Sequence, residues 1–147
     1  MKSTPIARLV QTHKAIGHAA RLRLLALLRD GPLCVCQMTV IVKLAASTVS
    51  EHLAELRRAG LIVERKDGRW VEYRISKAPA AAVLDSIWTT LDADLGVRAD
   101  AVVAKELRRV PLDELCSASL DLSRLARPKL AAAVTRAAKI RKAGAAS

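Results

Sequence analysis

Cysteine is the side chain with the most chemistry to offer here, and it occurs three times, at Cys34, Cys36 and Cys116. Thiolates are soft ligands for metals and metalloids, and they are nucleophiles toward oxidants. The spacing Cys34-Val35-Cys36 constrains that chemistry. On a regular helix, residues two apart point about 200° away from each other, so this pair can chelate only where the helix start is extended or unwound. A helix N-terminus at that place would favour thiolate over thiol through its partial positive charge. The opening Met1-Lys-Ser-Thr-Pro-Ile-Ala-Arg8 lacks a secretory apolar stretch, and no run approaches the roughly 18 apolar residues of a membrane span. The expectation is a cytoplasmic protein with reduced cysteines and no membrane partner. His13 and His18 are further candidate ligands, but a lone histidine at a helix boundary reads first as structural. The four nitrogen or sulfur ligands of a zinc or cadmium site are not gathered cleanly. There is no glycine-rich phosphate loop and no evident acid–base pair, which points away from an enzyme.

The elements that must position these thiols lie in residues 31–60. Two helices fit this stretch, over residues 36–44 and 47–59. Ser47 is the expected N-cap of the second, and Gly60 its stop, since glycine takes the left-handed conformation a C-cap needs. Val49, Leu53 and Leu56 recur at i, i+4, i+7 as a buried face. Thr48, Glu51, His52 and Glu55 face the other way, with Arg57 and Arg58 near the end. A short helix, a turn and a second helix with a small-hydroxyl start outline a helix-turn-helix, whose second helix enters the major groove.

Residues 61–66 then read as a strand, Asp67-Gly68 as a two-residue hairpin turn, and residues 69–76 as the return strand. Val71, Tyr73 and Ile75 share one face of it, and Trp70, Glu72 and Arg74 the other. A basic hairpin directly after a recognition helix is a wing, with Arg65, Lys66 and Arg69 near its tip. The expected fold is mainly α with a small β-hairpin wing: a winged helix-turn-helix, dimeric through terminal helices. Ser47, Thr48, Ser50 and His52 are the expected base-reading residues of double-stranded operator DNA. Arg57, Lys66 and Arg69 are expected to meet phosphates or the minor groove. Glu51 either reads a cytosine amine or pairs with a neighbouring arginine.

Charge supports this assignment. The chain carries +11, distributed as 13 basic and 6 acidic side chains in residues 1–76, 5 and 7 in 77–120, and 7 and 1 in 121–147. Such a partition fits a nucleic-acid binder with a separate oligomerisation region. At 147 residues and 52% hydrophobic, the chain is long enough for one domain with a real core.

The flanks complete the organisation. Residues 4–16 form an amphipathic helix with Ile6, Leu9, Val10, His13 and Ile16 on its stripe. Residues 19–28 form a leucine-rich core helix, ended by Asp30-Gly31-Pro32. Pro79 opens a helix carrying Val83, Leu84, Ile87, Trp88, Leu91 and Leu95. Its stripe needs a partner, for which the same helix of a second subunit, packed with the first helix, is the natural choice. Val102, Val103, Leu107 and Val110 mark a further helix before Pro111. The expected division is a DNA-binding and dimerisation domain over residues 1–96, a helical extension over 97–123 with a possible inducer ligand, and a basic, mobile tail over 124–147.

Several motifs together resemble the ArsR/SmtB family across residues 6–95. They are Leu33-Cys-Val-Cys36, Ser47-Thr-Val-Ser-Glu-His-Leu53, Leu56-Arg-Arg-Ala-Gly-Leu61 and the wing Arg65-Lys-Asp-Gly-Arg-Trp-Val-Glu-Tyr-Arg-Ile75. Gly17-His-Ala-Ala-Arg-Leu-Arg-Leu-Leu25 is similar to the family's second-helix opening, with Ala19 where a proline is usual. The resemblance implies a homodimeric repressor that releases its operator on binding an inducer and needs no cofactor. The Leu-Cys-Val-Cys run is similar to that of arsenite-responsive members and implies As(III) or Sb(III) as inducer, with Cys34 and Cys36 as ligands. The family pattern has a third cysteine where this chain has Thr39. Trivalent arsenic prefers three thiolates, and Cys116 is the remaining cysteine to complete the set, from its own subunit or across a dimer. The same cysteines would serve the alternative, a thiol-based redox or reactive-sulfur sensor.

Overall fold

Thr4 caps the first helix: its Oγ1 accepts from the Ala7 N–H at 3.1 Å, and Pro5 occupies the first helical position, where no amide donor is missed. The structure, a computed structural model, describes residues 3–146. Helix α1 (Pro5–Ile16) leads to α2 (Ala19–Arg29), a two-residue strand β1 (Leu33–Cys34), α3 (Val35–Val42) and α4 (Ala46–Arg58). Strands β2 (Ile62–Asp67) and β3 (Trp70–Ile75) form the wing. A 3-10 helix (Pro79–Ser86), α5 (Trp88–Ala93), α6 (Leu95–Leu107), α7 (Leu112–Ser117), a 3-10 turn (Leu122–Arg124) and α8 (Pro128–Ala145) complete the chain. This is a winged helix-turn-helix with a helical C-terminal layer.

Helix α4 buries Val49, Leu53 and Leu56, as the spacing predicts. Its end is a Schellman motif: Gly60 sits at φ +76°, its N–H donates to the Arg57 carbonyl at 2.9 Å, and the Leu61 N–H donates to the Leu56 carbonyl at 3.0 Å. Its start differs from expectation. The switch from extended to helical backbone falls at Ala45 (φ −60°, ψ 144°), which offers no side-chain cap, so Ser47 lies inside the first turn and its hydroxyl is exposed.

The wing turn is also displaced by one residue. Asp67 pairs with Trp70, so Gly68 and Arg69 are the loop, and Gly68 at φ +60° supplies the positive φ that a type II′ turn requires at its first position. The sheet order is β1-β3-β2, antiparallel throughout, with Leu33 opposite Tyr73 and Cys34 opposite Glu72.

Residues 79–95 do not form one continuous helix. Asp94 is extended (φ −75°, ψ 127°) and accepts from the Val97 N–H at 2.9 Å, so it ends α5 and caps α6. Leu84 and Leu91 are buried within their own chain, with Val83, Ile87 and Trp88 packed beside them. The Arg29 guanidinium covers Trp88, 4.9 Å from the ring centroid. By contrast, the α1 stripe faces outward. Ile6, Leu9 and Val10 are 76%, 59% and 46% exposed, while Thr12 and Ala15 are the buried residues of that helix.

Helix α6 is the central packing element, lying against α2, α3, α5 and α8. Its contact with α8 corrects the expectation of a mobile tail. Alanine is the strongest helix former, and the small Ala133 and Ala137 are buried with Leu130, which lets α8 lie close on α6. A Cβ on Gly144 would stand 3.2 Å from Leu95 Cδ1. Lys129, Arg136, Lys139 and Lys142 remain exposed.

A buried carboxylate joins three helices. Asp100, 1% exposed, accepts from Arg23 of α2 at 2.8 and 2.9 Å and from Arg141 of α8 at 2.8 Å. Arg108, at the end of α6, donates from Nη2 to the carbonyls of Leu27 (2.8 Å) and Gly31 (3.0 Å), which ties α6 to the turn before β1.

Candidate metalloid site and nucleic-acid interface

The extended helix start that the Cys34-Val35-Cys36 spacing requires is present. Cys34 lies in β1 and is the N-cap residue of α3, with φ −86° and ψ 161°; Cys36 is in the first helical turn. The Gln37 side chain accepts from the buried Cys34 N–H at 2.8 Å and holds this junction. Thr39 is engaged with its own helix, its hydroxyl donating to the Val35 carbonyl at 2.7 Å. Cys116, eighty positions after Cys36, is carried by α7 to a place beside it, near enough to count among the groups that raise the Cys36 pKa by charge and hydrogen bonding. Cys34 is buried, Cys36 half-buried and Cys116 exposed. The three thiols therefore come from β1, α3 and α7. Among the described residues no group of three or more His, Cys, Asp or Glu side chains is already gathered for a metal ion, so binding all three sulfurs needs a local closure.

The electrostatics run against the simple helix-terminus expectation. Burial pushes the Cys34 thiol up to about 11, with further contributions from Cys36, Glu72, Asp67 and Cys116. Burial also raises Cys36, followed by the charge of Cys116, and the backbone N–H groups of Gln37 and Cys36 offset only part of this. Desolvation outweighs the helix N-terminus at both positions.

Helix α7 is fixed by a bidentate ion pair that sequence reading missed. Arg127 donates to Glu114 at 3.0 and 2.6 Å, between α7 and the residue preceding α8. The hydrogen bond from Arg127 is the first cause holding the Glu114 carboxyl below its usual range. The signal lay in Arg127-Pro128, a basic residue just before a helix-opening proline, but its partner thirteen positions earlier is set by tertiary packing.

On α4, Ser47, Ser50 and Glu51 are exposed and Thr48 and His52 half-buried, on the side opposite Val49, Leu53 and Leu56. His52 packs against His18, with ring centroids 4.5 Å apart. Lys66 and Arg69 are exposed on the wing, Arg69 lying over the Trp70 ring at 5.0 Å. Arg57 is less free than expected: its Nη1 pairs with Glu64 of β2 at 2.6 Å. Arg58 pairs with Glu55, leaving Glu51 without an arginine among the described ion pairs. Burial, then the charges of His18 and Arg21, lower the His52 pKa, with Glu51 opposing them. His52 is therefore held in its neutral form near pH 7, able to offer one donor and one acceptor.

Residues 18–63, from the α2 cap into the first wing strand, match the pattern of the bacterial regulatory proteins of the arsR family. The arsenical resistance operon repressor of Escherichia coli (strain K12) is 39% identical over 83 residues, covering 54% of this chain and 71% of that protein. This chain belongs to the arsR family. A second relative, the arsenic resistance transcriptional regulator ArsR2 of Pseudomonas putida, is 31% identical over 106 residues, covering 70% of this chain and 92% of that one. Among solved structures, the homodimeric winged helix-turn-helix DNA-binding domain of Mb0332 from Mycobacterium bovis superimposes with a TM-score of 0.54 at 25% identity, covering 59% of this chain and 81% of that one. As an arsR-family member the chain is a DNA-binding transcriptional regulator, not an enzyme. No helix among the described residues is long and apolar enough to cross a membrane.

Proposed function

We propose that this arsR-family regulator is a repressor that binds operator DNA as a homodimer and releases it when As(III) or Sb(III) takes Cys34, Cys36 and Cys116 as ligands. The observation that carries this reading is the convergence of Cys116 with Cys36, next to an extended Cys34, across eighty positions of sequence. The donor set suits the ion, because a trivalent thiophilic centre is satisfied by three sulfurs. Arsenous acid and three thiols give the tris-thiolate and three waters, so the raised thiol pKa values are no obstacle: each thiol proton leaves with a hydroxide.

Cys34 ends the strand that pairs with wing strand β3, and Cys36 lies in the first turn of the helix that packs on α4. Drawing both toward α7 would shift wing and recognition helix together. Ser47, Thr48, Ser50 and His52 would read bases, while Lys66, Arg69 and, when freed from Glu64, Arg57 would meet phosphates or the minor groove. The exposed α1 stripe supports a subunit interface through that helix.

The test is a fluorescence-anisotropy titration of reduced protein on DNA from its own promoter region. Release at micromolar arsenite, lost in the Cys34→Ser, Cys36→Ser double variant, supports the reading. The closeness of Cys36 and Cys116 also serves a second one. Hydrogen peroxide could oxidise these two thiols to one disulfide and be reduced to two waters; release by peroxide with indifference to arsenite would move the assignment there.

A further inference from the structure

His18 occupies two positions at once. As N-cap of α2 its Nδ1 accepts from the Ala20 N–H at 3.1 Å, which requires that nitrogen to be unprotonated and places the proton of the neutral ring on Nε2. Its ring also lies against that of His52 on α4, with centroids 4.5 Å apart and planes tilted by 50°. Arg21 anchors the same corner, donating to the carbonyls of Ala15 (2.6 Å) and Lys14 (3.1 Å) at the end of α1. A ring held by its own backbone bond is a fixed wall for the ring beside it. We propose that His18 is a positioning residue for sequence recognition, holding the His52 imidazole in one orientation at the base edges. This rests on the reading of α4 as the DNA-reading helix.

The physical argument is one of freedom removed. An exposed histidine on a helix samples several rotamers, and a side chain that must aim a donor or acceptor at one base edge loses that entropy on binding. Packing against His18 removes part of it beforehand. The pair also makes recognition sensitive to protons. The charged groups that act on it are Arg21 on α2 and Glu51 on α4. Burial, to which the His18 ring contributes, and the charge of Arg21 disfavour protonation of His52, and Glu51 favours it. Removing the His18 ring therefore shifts the His52 transition to higher pH.

The experiment uses the full-length protein and anisotropy against its operator plus a panel of single base-pair substitutions, between pH 5.5 and 8. His18→Asn keeps a side-chain acceptor for the α2 cap and removes the ring; His52→Ala removes the reading group. The proposal expects both variants to lose about tenfold discrimination at the same base pair, within the range of one good base-edge contact. It also expects no further loss in the double variant, and a pH midpoint of discrimination in His18→Asn above that of the wild type. If His52→Ala relaxes that position while His18→Asn keeps wild-type preference and pH midpoint, the positioning role is overturned and the reading of α4 stands. If neither relaxes any position, both are overturned. An unchanged thermal midpoint in His18→Asn confirms that the cap has been retained in the variant used.

Discussion

Cys34 stands directly opposite Glu72 in the ladder between β1 and β3. The innermost thiol of the candidate site is thus one hydrogen-bonded strand away from the wing. A ligand that moves Cys34 acts on the wing backbone without an intermediate. The coupling required is modest, about 1–3 kcal/mol, or a 5- to 150-fold change in affinity. Cys34→Ser should keep operator affinity within about twofold and lose that arsenite-dependent change. Hydrogen exchange should show arsenite altering protection in residues 71–74 of the wild type, and not in the variant.

Cys116 has a separate test. Cys116→Ser leaves the Cys34–Cys36 pair intact and should reduce the affinity for arsenite at least tenfold at unchanged operator affinity, read by the same titration. Equal release in variant and wild type removes Cys116 from the site.

The raised thiols predict different pH behaviour for a divalent ion and for arsenous acid. A divalent soft ion such as Cd2+ must displace protons from thiols, one held at about 11, so its affinity rises with pH. Arsenous acid carries its own hydroxides, which take those protons away as water, so its affinity stays nearly flat between pH 6 and 8. Competition titrations at three pH values measure both slopes, and a steep slope for arsenite would contradict the three-thiol exchange.

Much of this was legible in the sequence. The period of Val49, Leu53 and Leu56 fixed α4 and its buried face, and the basic hairpin fixed the wing. What was not legible depended on contacts distant in sequence. The apolar stripe around Leu84 and Leu91 announces burial but not by what, and its partner is the chain's own core. The basic charges of residues 124–147 suggested solvation, yet the buried side of α8 is alanine, whose weak hydropathy hides a close helix contact. Asp100 could not be recognised as an anchor because its partners, Arg23 and Arg141, lie 77 and 41 positions away.

Asp100 also yields a stability prediction. Removing it strands two arginines that converge on one buried oxygen pair. Loss of one partner of a buried ion pair typically costs 3–5 kcal/mol. Both arginine side chains are about a third exposed, so Asp100→Asn should lower unfolding stability by about 3 kcal/mol in urea titrations. Truncation before Pro128 should likewise destabilise the fold, where loss of a detached tail would change only the salt dependence of DNA binding.

The wing charges act on salt dependence directly. Lys66→Gln with Arg69→Gln should lower the slope of log affinity against log salt by about 2 if both meet phosphates. A slope equal to wild type would place the wing off the DNA. Leu9→Lys on the exposed stripe of α1 should convert a dimer to a monomer in analytical ultracentrifugation, and weaken operator binding with it.

The two tryptophans of the chain, Trp70 and Trp88, sit at functionally separate ends, each beneath an arginine. Trp70 is at the wing tip; Trp88 is at the junction of α2 and α5. With no phenylalanine and a single tyrosine, almost all intrinsic emission comes from these two rings. Replacing Trp88 leaves a fluorophore that reports the wing, and replacing Trp70 leaves one that reports the interior. The protein thus carries an optical readout in which the engagement of DNA and the loosening of its frame can be timed separately, without a dye.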